Sequence, residues 1–173
     1  MRITQERLKE CLFYSPIVGV FEWRRSGPKV RRGLLAGAVV GNGYVRVCVD
    51  RKLYPAHKLA WLYMTGEYPE GPIDHIDGDR SNNAFKNLRL ATCSQNSHNM
   101  RLHRTSTTGV KGVTMVRGKY EASIRKNGVY AFRKVYETLE EAEEAIRAKR
   151  EELHGEFANH GLHRYEQEEL ANL

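Results

Sequence analysis

The sequence predicts an α+β protein built in two parts, and three observations carry that prediction. Residues 73–99 read IDHIDGDRSNNAFKNLRLATCSQNSHN. The order is short strand, long polar loop, short strand, helix, which is a ββα unit. Residues 110–135 hold three short strand patterns separated by the turn dipeptides Arg117-Gly118 and Asn127-Gly128, and Asn-Gly is the strongest hairpin signal. A helical pattern follows, with Leu139, Ala142, Ile146 and Leu153 on one face and a close near Gly155. The second part is therefore a three-stranded antiparallel sheet packed on one helix.

Taken in order, Thr4 caps a short helix whose Leu8, Cys11 and Leu12 form an apolar stripe and which stops before Pro16. Gly19 to Trp23 reads as a strand. Residues 24–33, RRSGPKVRRG, carry five cationic side chains with two glycines and a proline, a mobile basic loop suited to solvent or to phosphate. Gly41-Asn42-Gly43 is a turn signal, and Tyr44–Val49 with Lys52–Pro55 reads as a hairpin. His57 to Thr65 is a helix ended by Gly66. Asp74–Ile76 and Leu88–Leu90 are the strands of the ββα unit. Thr92 and Gln95 form a capping box at the start of its helix. Thr138 and Glu141 form another ahead of the last helix. These elements place an N-terminal domain at 1–101, with its ββα core at about 72–101. A linker is expected at 102–108, the sheet domain at 109–160 and a tail at 161–173.

Composition narrows the function classes. The chain has 173 residues, 40% hydrophobic and 28% charged, a globular balance with small cores. No run of eighteen apolar residues exists, so no membrane span is expected, and MRITQERLKE lacks an apolar leader, so a cytoplasmic protein is expected. Cys11, Cys48 and Cys93 are far apart and odd in number, which argues against a disulfide framework or a four-ligand zinc site. Net charge is +7 and is unevenly spread. Residues 107–136 hold seven Lys and Arg against Glu121 alone, while the acidic groups of the C-terminal part crowd into its last helix and tail. A basic face ahead of an acidic helix points toward nucleic acid.

The chemistry concentrates in residues 73–99. Asparagines at positions 82, 83, 87, 96 and 99 suit turns and caps, and an asparagine side-chain oxygen binds hard cations. Asn96 lies in the second turn of the predicted helix, where it can face the strands. Asp74 and Asn96 then offer two hard oxygens beside the His75 imidazole. Magnesium takes few protein ligands and fills the rest with water and substrate phosphate. An EF-hand reading of Asp74–Asp79 fails, because the glycine and the terminal glutamate are misplaced. Asn82 and Asn83 read as turn-formers.

These residues resemble the HNH endonucleases. The resemblance rests on D-H-I-D-G-D at 74–79, N-N at 82–83, N-L-R at 87–89 and S-Q-N-S-H-N at 94–99. H-K-L-A-W-L-Y at 57–63 and residues 4–23 also look like phage-type members, so the likeness covers roughly residues 4–101. It implies that His75 is the general base and that Asp74 and Asn96 bind one divalent metal, Mg2+ or Mn2+. It implies that Asn87 ties the loop together and orients His75. Many members carry histidine where Asn96 stands, and homing-type members carry asparagine. His57, His98 and Asn99 are candidates to support these side chains from behind.

In the second part, Tyr120, Ala122 and Ile124 alternate with Glu121, Ser123 and Arg125. The apolar set is expected to face the helix and the polar set an uncovered sheet face. Thr114 falls on that face, with Lys111, Arg117, Lys126, Arg133 and Lys134 close to it. A basic bare sheet can enter a DNA major groove. G-V-K-G-V at 109–113, G-K-Y-E-A-S-I-R at 118–125, T-L-E-E-A-E-E-A at 138–145 and L-H-G-E-F-A at 153–158 resemble the plant Apetala/ethylene-response-factor DNA-binding domain. By motif position Lys111, Thr114, Ser123 and Arg125 would face the groove. F-R-K-V-Y replaces the family's usual third strand and Tyr120 stands where a tryptophan is common. Arg133 and Lys134 are therefore phosphate candidates from composition alone.

The sequence thus points to a phage- or homing-type endonuclease acting on double-stranded DNA, with monomer and homodimer both open. A nick at one site is the unit event, leaving 5′-phosphate and 3′-hydroxyl ends as the resemblance implies. The alternatives are a DNA-binding regulator that keeps a relic nuclease fold, and an RNA-directed nuclease.

Overall fold

A computed structural model describes residues 2–99, 102, 106–126 and 128–161, excepting the side chains at 97 and 98. The expectations for His98, for Asn127 in its turn, for residues 103–105 of the linker and for residues 162–173 of the tail lie outside the described residues. The chain divides into two units, 1–93 and 94–173, and the division falls at the first residue of helix α3 (Cys93–His98).

The first unit opens with α1 (Gln5–Cys11), whose first turn is capped by the Thr4 hydroxyl accepting from the Arg7 amide at 3.2 Å. The expected apolar stripe is split between two elements. The helix ends at Cys11, and Leu12 begins strand β1 (Leu12–Ser15). Leu12 is still fully buried, because alternation within the strand turns it and Tyr14 to the core. β1 pairs antiparallel with β2 (Val20–Trp23), and β3 (Leu35–Ala36) adds to β2. The β1–β2 turn closes with the Gly19 amide donating to the Ser15 carbonyl at 2.8 Å.

A second sheet holds β4 (Ala38–Val39), β5 (Val45–Val49) and β6 (Lys52–Pro55). Asp50 and Arg51 both take positive φ, as the tight hairpin turn between β5 and β6 requires. Helix α2 (Ala56–Thr65) follows and ends at Gly66 in the left-handed conformation, as the sequence predicts. β7 (Ile73–His75) and β8 (Leu88–Leu90) form the expected antiparallel pair, with a short 3-10 turn over Phe85–Asn87 ahead of β8. Leu8, Tyr14, Phe21, Val47, Leu59 and Leu88 belong to one core, to which each of these elements except β4 contributes.

The second unit holds the expected sheet, ordered β11-β10-β9, with β9 (Val113–Val116), β10 (Lys119–Lys126) and β11 (Val129–Tyr136). Helix α4 (Leu139–His154) starts at a complete capping box between Thr138 and Glu141. Ala122 and Ile124 of β10 pack with Ala142 and Ile146 of α4, so one sheet face is covered and the other is bare. After α4, the Asn159 amide donates to the Asn99 carbonyl and side-chain oxygen, both at 3.1 Å. Among the described residues no helix is long and apolar enough to cross a membrane.

Candidate functional site

β7 carries Asp74 and His75, and all three of its residues are buried. The register sets Asp74 opposite Arg89 of β8, and both Arg89 Nε and Nη2 donate to Asp74 Oδ2 at 2.8 Å. The carboxylate is 3% exposed, and it is the hard oxygen donor nearest the imidazole in sequence.

The loop after β7 is laced by its own polar side chains. Asn87 donates through Nδ2 to Asp77 Oδ1 at 2.9 Å and to the Asn82 carbonyl at 2.8 Å, while its Oδ1 accepts the Asp77 amide at 3.0 Å. Asp77 also accepts the Asp79 amide and the Asn82 side-chain amide. Asp79 accepts from the Ser81 amide and hydroxyl. Asn87 thus fixes the end of β7 to the start of β8. The side chain that meets His75 is a different one, Asn83.

Asn83 is 1% exposed, and its Oδ1 lies 3.2 Å from His75 Nε2. Its Nδ2 donates to the Ser81 carbonyl at 2.9 Å, which leaves the oxygen for the imidazole. The Tyr14 hydroxyl of β1 donates to the Asn83 carbonyl at 2.6 Å. Phe85 N donates to the Pro16 carbonyl at 2.8 Å, and a Cβ on Gly19 would come 2.1 Å from Ala84 N. The β1–β2 turn therefore clasps residues 83–85. An oxygen aimed at Nε2 selects the tautomer with its proton there, and puts the imidazole lone pair on Nδ1. Burial pushes the His75 imidazole below its ordinary range, against the Asn83 bond and the neighbouring Asp77 and Asp74, which raise it.

Behind His75 stand two rings. His57 of α2 meets it edge-on at 5.2 Å between centroids, and Tyr44 lies 5.2 Å from His57 and 5.9 Å from His75. His57 is 7% exposed, its Nδ1 has no hydrogen-bond partner, and burial pushes its pKa down to about 3. Arg80, from the loop, covers the outer Tyr44 ring at 4.9 Å and donates to the Asn42 carbonyl at 3.0 Å.

Asn96 lies half-buried on α3, in the second unit. Asn99 is buried in its bond with Asn159. On the second unit's sheet, Thr114 stands opposite Glu121, and Ser123 opposite Arg133, on the bare face. Arg125 pairs with Tyr130 and Lys126 with Val129. Arg117 occupies the β9–β10 turn with positive φ. Lys134 pairs with Ala122, so register puts it on the helix side, where its Nζ sits 5.2 Å from the Tyr136 ring. Lys111 also turns away from the bare face. Its Nζ donates to the Asn159 carbonyl at 3.0 Å, and burial beside Arg150 pushes its pKa down to about 8. Lys111, expected to face the groove, is thus turned away from it, and Lys134, expected close to that face, lies on the opposite one by register.

Sequence reasoning missed Asn83, Tyr14 and Tyr44 as parts of the site. Asn83 carries no mark that separates it from its turn-forming neighbour Asn82, and Tyr14 reaches it across 69 positions.

Residues 54–98 match the family described as HNH endonuclease. An HNH endonuclease of Acanthamoeba polyphaga mimivirus is 41% identical over 146 residues, which is 83% of this chain and 68% of that protein. Protein 3.8 of Escherichia phage T7 is 35% identical over 105 residues, 59% of this chain and 86% of that protein. A solved structure of DNA binding and cleavage by the HNH homing endonuclease I-HmuI aligns over 83% of this chain and 85% of that chain. It does so at 22% identity and a TM-score of 0.41.

Proposed function

The chain belongs to the HNH endonuclease family, and on that premise we propose that it hydrolyses phosphodiester bonds of duplex DNA at the β7 loop, using the bare sheet of its second unit to hold the duplex. The observation that carries the cutting site is His75, buried beside the Asp74 carboxylate and held at Nε2 by Asn83.

HNH nucleases generally use a divalent metal. The buried carboxylate of Asp74 suits a hard cation, and the resemblance to the family implies the amide oxygen of Asn96 as a second ligand. Once bound, such a cation neutralises charge on the phosphate and the leaving oxygen. The remaining roles fall to the chain itself. His75, kept neutral by burial, takes a proton from water at Nδ1. The resulting oxygen nucleophile attacks phosphorus, the bond to the 3′-oxygen breaks, and that oxygen is protonated from solvent. The products are a 5′-phosphate and a 3′-hydroxyl. Asn83 steadies the imidazolium that forms, because the Nε2 proton stays donated throughout. Asn87 keeps the loop closed, and His57 and Tyr44 wall the imidazole on its inner side.

For the second unit, the bare face bearing Thr114, Ser123, Arg125 and Arg133 supports DNA binding of the Apetala/ethylene-response-factor kind. Arg117 and Lys126 are exposed at its rims for phosphate.

Conversion of supercoiled plasmid to open circle tests the reading. Magnesium- or manganese-dependent nicking, lost in Asp74→Ala and His75→Ala while both variants still bind duplex, is the expected result. Unchanged nicking in His75→Ala would remove the general base. Binding without cutting on random-sequence substrates would favour a DNA-binding regulator, and cutting of folded RNA in place of duplex would redirect the substrate.

A further inference from the structure

We propose that Tyr130 is a positioning residue for sequence readout: it holds Arg125 and Arg133 as a fixed pair of guanidiniums that reads guanine in the major groove of duplex DNA. This rests on the reading that the bare sheet face binds DNA.

The pairing of β10 with β11 runs in one register from Tyr120↔Tyr136 to Ile124↔Phe132. It then slips, so that Arg125 faces Tyr130 and leaves Ala131 as the extra residue of a bulge. In an unbroken ladder Tyr130 would share the side of Phe132, toward the helix. The bulge re-aims it to the bare face, beside Arg125. Both guanidiniums lie over its ring, with Arg125 Cζ at 4.3 Å and Arg133 Cζ at 4.8 Å from the centroid. Arg125 Nη2 also donates to the Tyr130 hydroxyl at 2.5 Å. Arg133 Nη2 donates to Glu121 Oε2 at 2.8 Å, and Glu121 is the more buried partner.

Two neighbouring cations repel, and a long arginine left loose loses entropy when it docks. The ring's negative face offsets the first cost and, with Glu121, removes much of the second before DNA arrives. Arginine discriminates guanine by a bidentate fork onto O6 and N7, a contact that depends on angle. Phosphate contact needs charge alone. Loss of the ring therefore costs discrimination while sparing general affinity. Tyr130 is 39% exposed and outside the second unit's core, so its removal leaves the fold intact.

The experiment uses the full chain. A preferred duplex is selected from a random library, and its affinity is compared with that of a scrambled duplex by fluorescence anisotropy. Tyr130→Ala is expected to lower affinity for the preferred duplex about tenfold and for the scrambled one less than twofold. Tyr130→Phe, which keeps the ring, is expected to retain most of the preference. A preferred-to-scrambled ratio that survives Tyr130→Ala overturns the proposal, as does equal weakening on both duplexes. Wild-type protein without any preference overturns it too. Arg125→Ala and Arg133→Ala separate the two levels. If these leave the affinity for each duplex at its wild-type value, the sheet is not the DNA face and the underlying reading fails. If they lower the ratio while Tyr130→Ala does not, only the role of Tyr130 fails.

Discussion

At the scale of single residues, the site is decided by what stands on each side of one imidazole. Asn83 fixes the Nε2 side, so Asn83→Ala should remove the oxygen that selects the His75 tautomer. Single-turnover nicking should fall roughly 10- to 100-fold with DNA affinity retained. A rate within twofold of wild type would mean that Asn83 is only a turn residue. His57 gives a prediction of a different kind. Its folded pKa is about 3 against an ordinary 6.5, because burial disfavours the charged ring. The unfolded chain binds a proton below pH 6.5 that the folded chain refuses until about pH 3. Stability is therefore full above that window and falls as pH drops through it, by up to a few kcal/mol. His57→Phe keeps a flat ring and should flatten the acid limb of a urea-unfolding series run from pH 7 to 4. Equal acid sensitivity in both proteins would place the proton uptake elsewhere.

Among elements, the β1–β2 turn and α4 make contrasting cases. Gly19 has φ of 80° and no room for a Cβ against the backbone of Asn83 and Ala84. Gly19→Ala should cost at least about 2 kcal/mol and reduce nicking as well, since the same backbone holds the Asn83 side chain. Thr138→Ala breaks a capping box in the second unit. It should cost about 1 kcal/mol in unfolding experiments and leave the nicking rate unchanged. The elements that the sequence makes legible are those with local signals. Thr4 and Thr138 announce their helices, Gly66 ends one, and the alternation from Tyr120 to Arg125 identifies both the strand and its buried face. β1 was hidden, because Leu8, Cys11 and Leu12 satisfy a helical period while the pairing of Leu12–Ser15 depends on residues beyond the next turn. β3 and β4 are two residues each, too short for any periodicity to register. The slip at Ala131 leaves no local mark either, and with it went the outward face of Tyr130. In the site, Asp74 and His75 stood out by type and spacing, whereas Asn83 acquires its place only through Tyr14 and Ser81.

For the molecule as a whole, charge sets how it meets its substrate. A net +7 with seven cations against one anion in residues 107–136 predicts DNA binding dominated by phosphate. Affinity for an arbitrary duplex should fall steeply between 50 and 200 mM salt, by roughly 10³-fold for about six phosphate contacts. Anisotropy titrations measure this, and a flat response would sink the electrostatic account. The clasp described above has a practical meaning for anyone moving this chemistry elsewhere. The 54–98 segment that defines the family carries Asp74, His75 and Asn87, so it looks like a transplantable cassette. Yet the Asn83 carbonyl depends on Tyr14, and the Phe85 amide on Pro16. A graft limited to that segment would import the reactive groups and abandon their anvil. A working transplant has to bring residues 12–23 along with it.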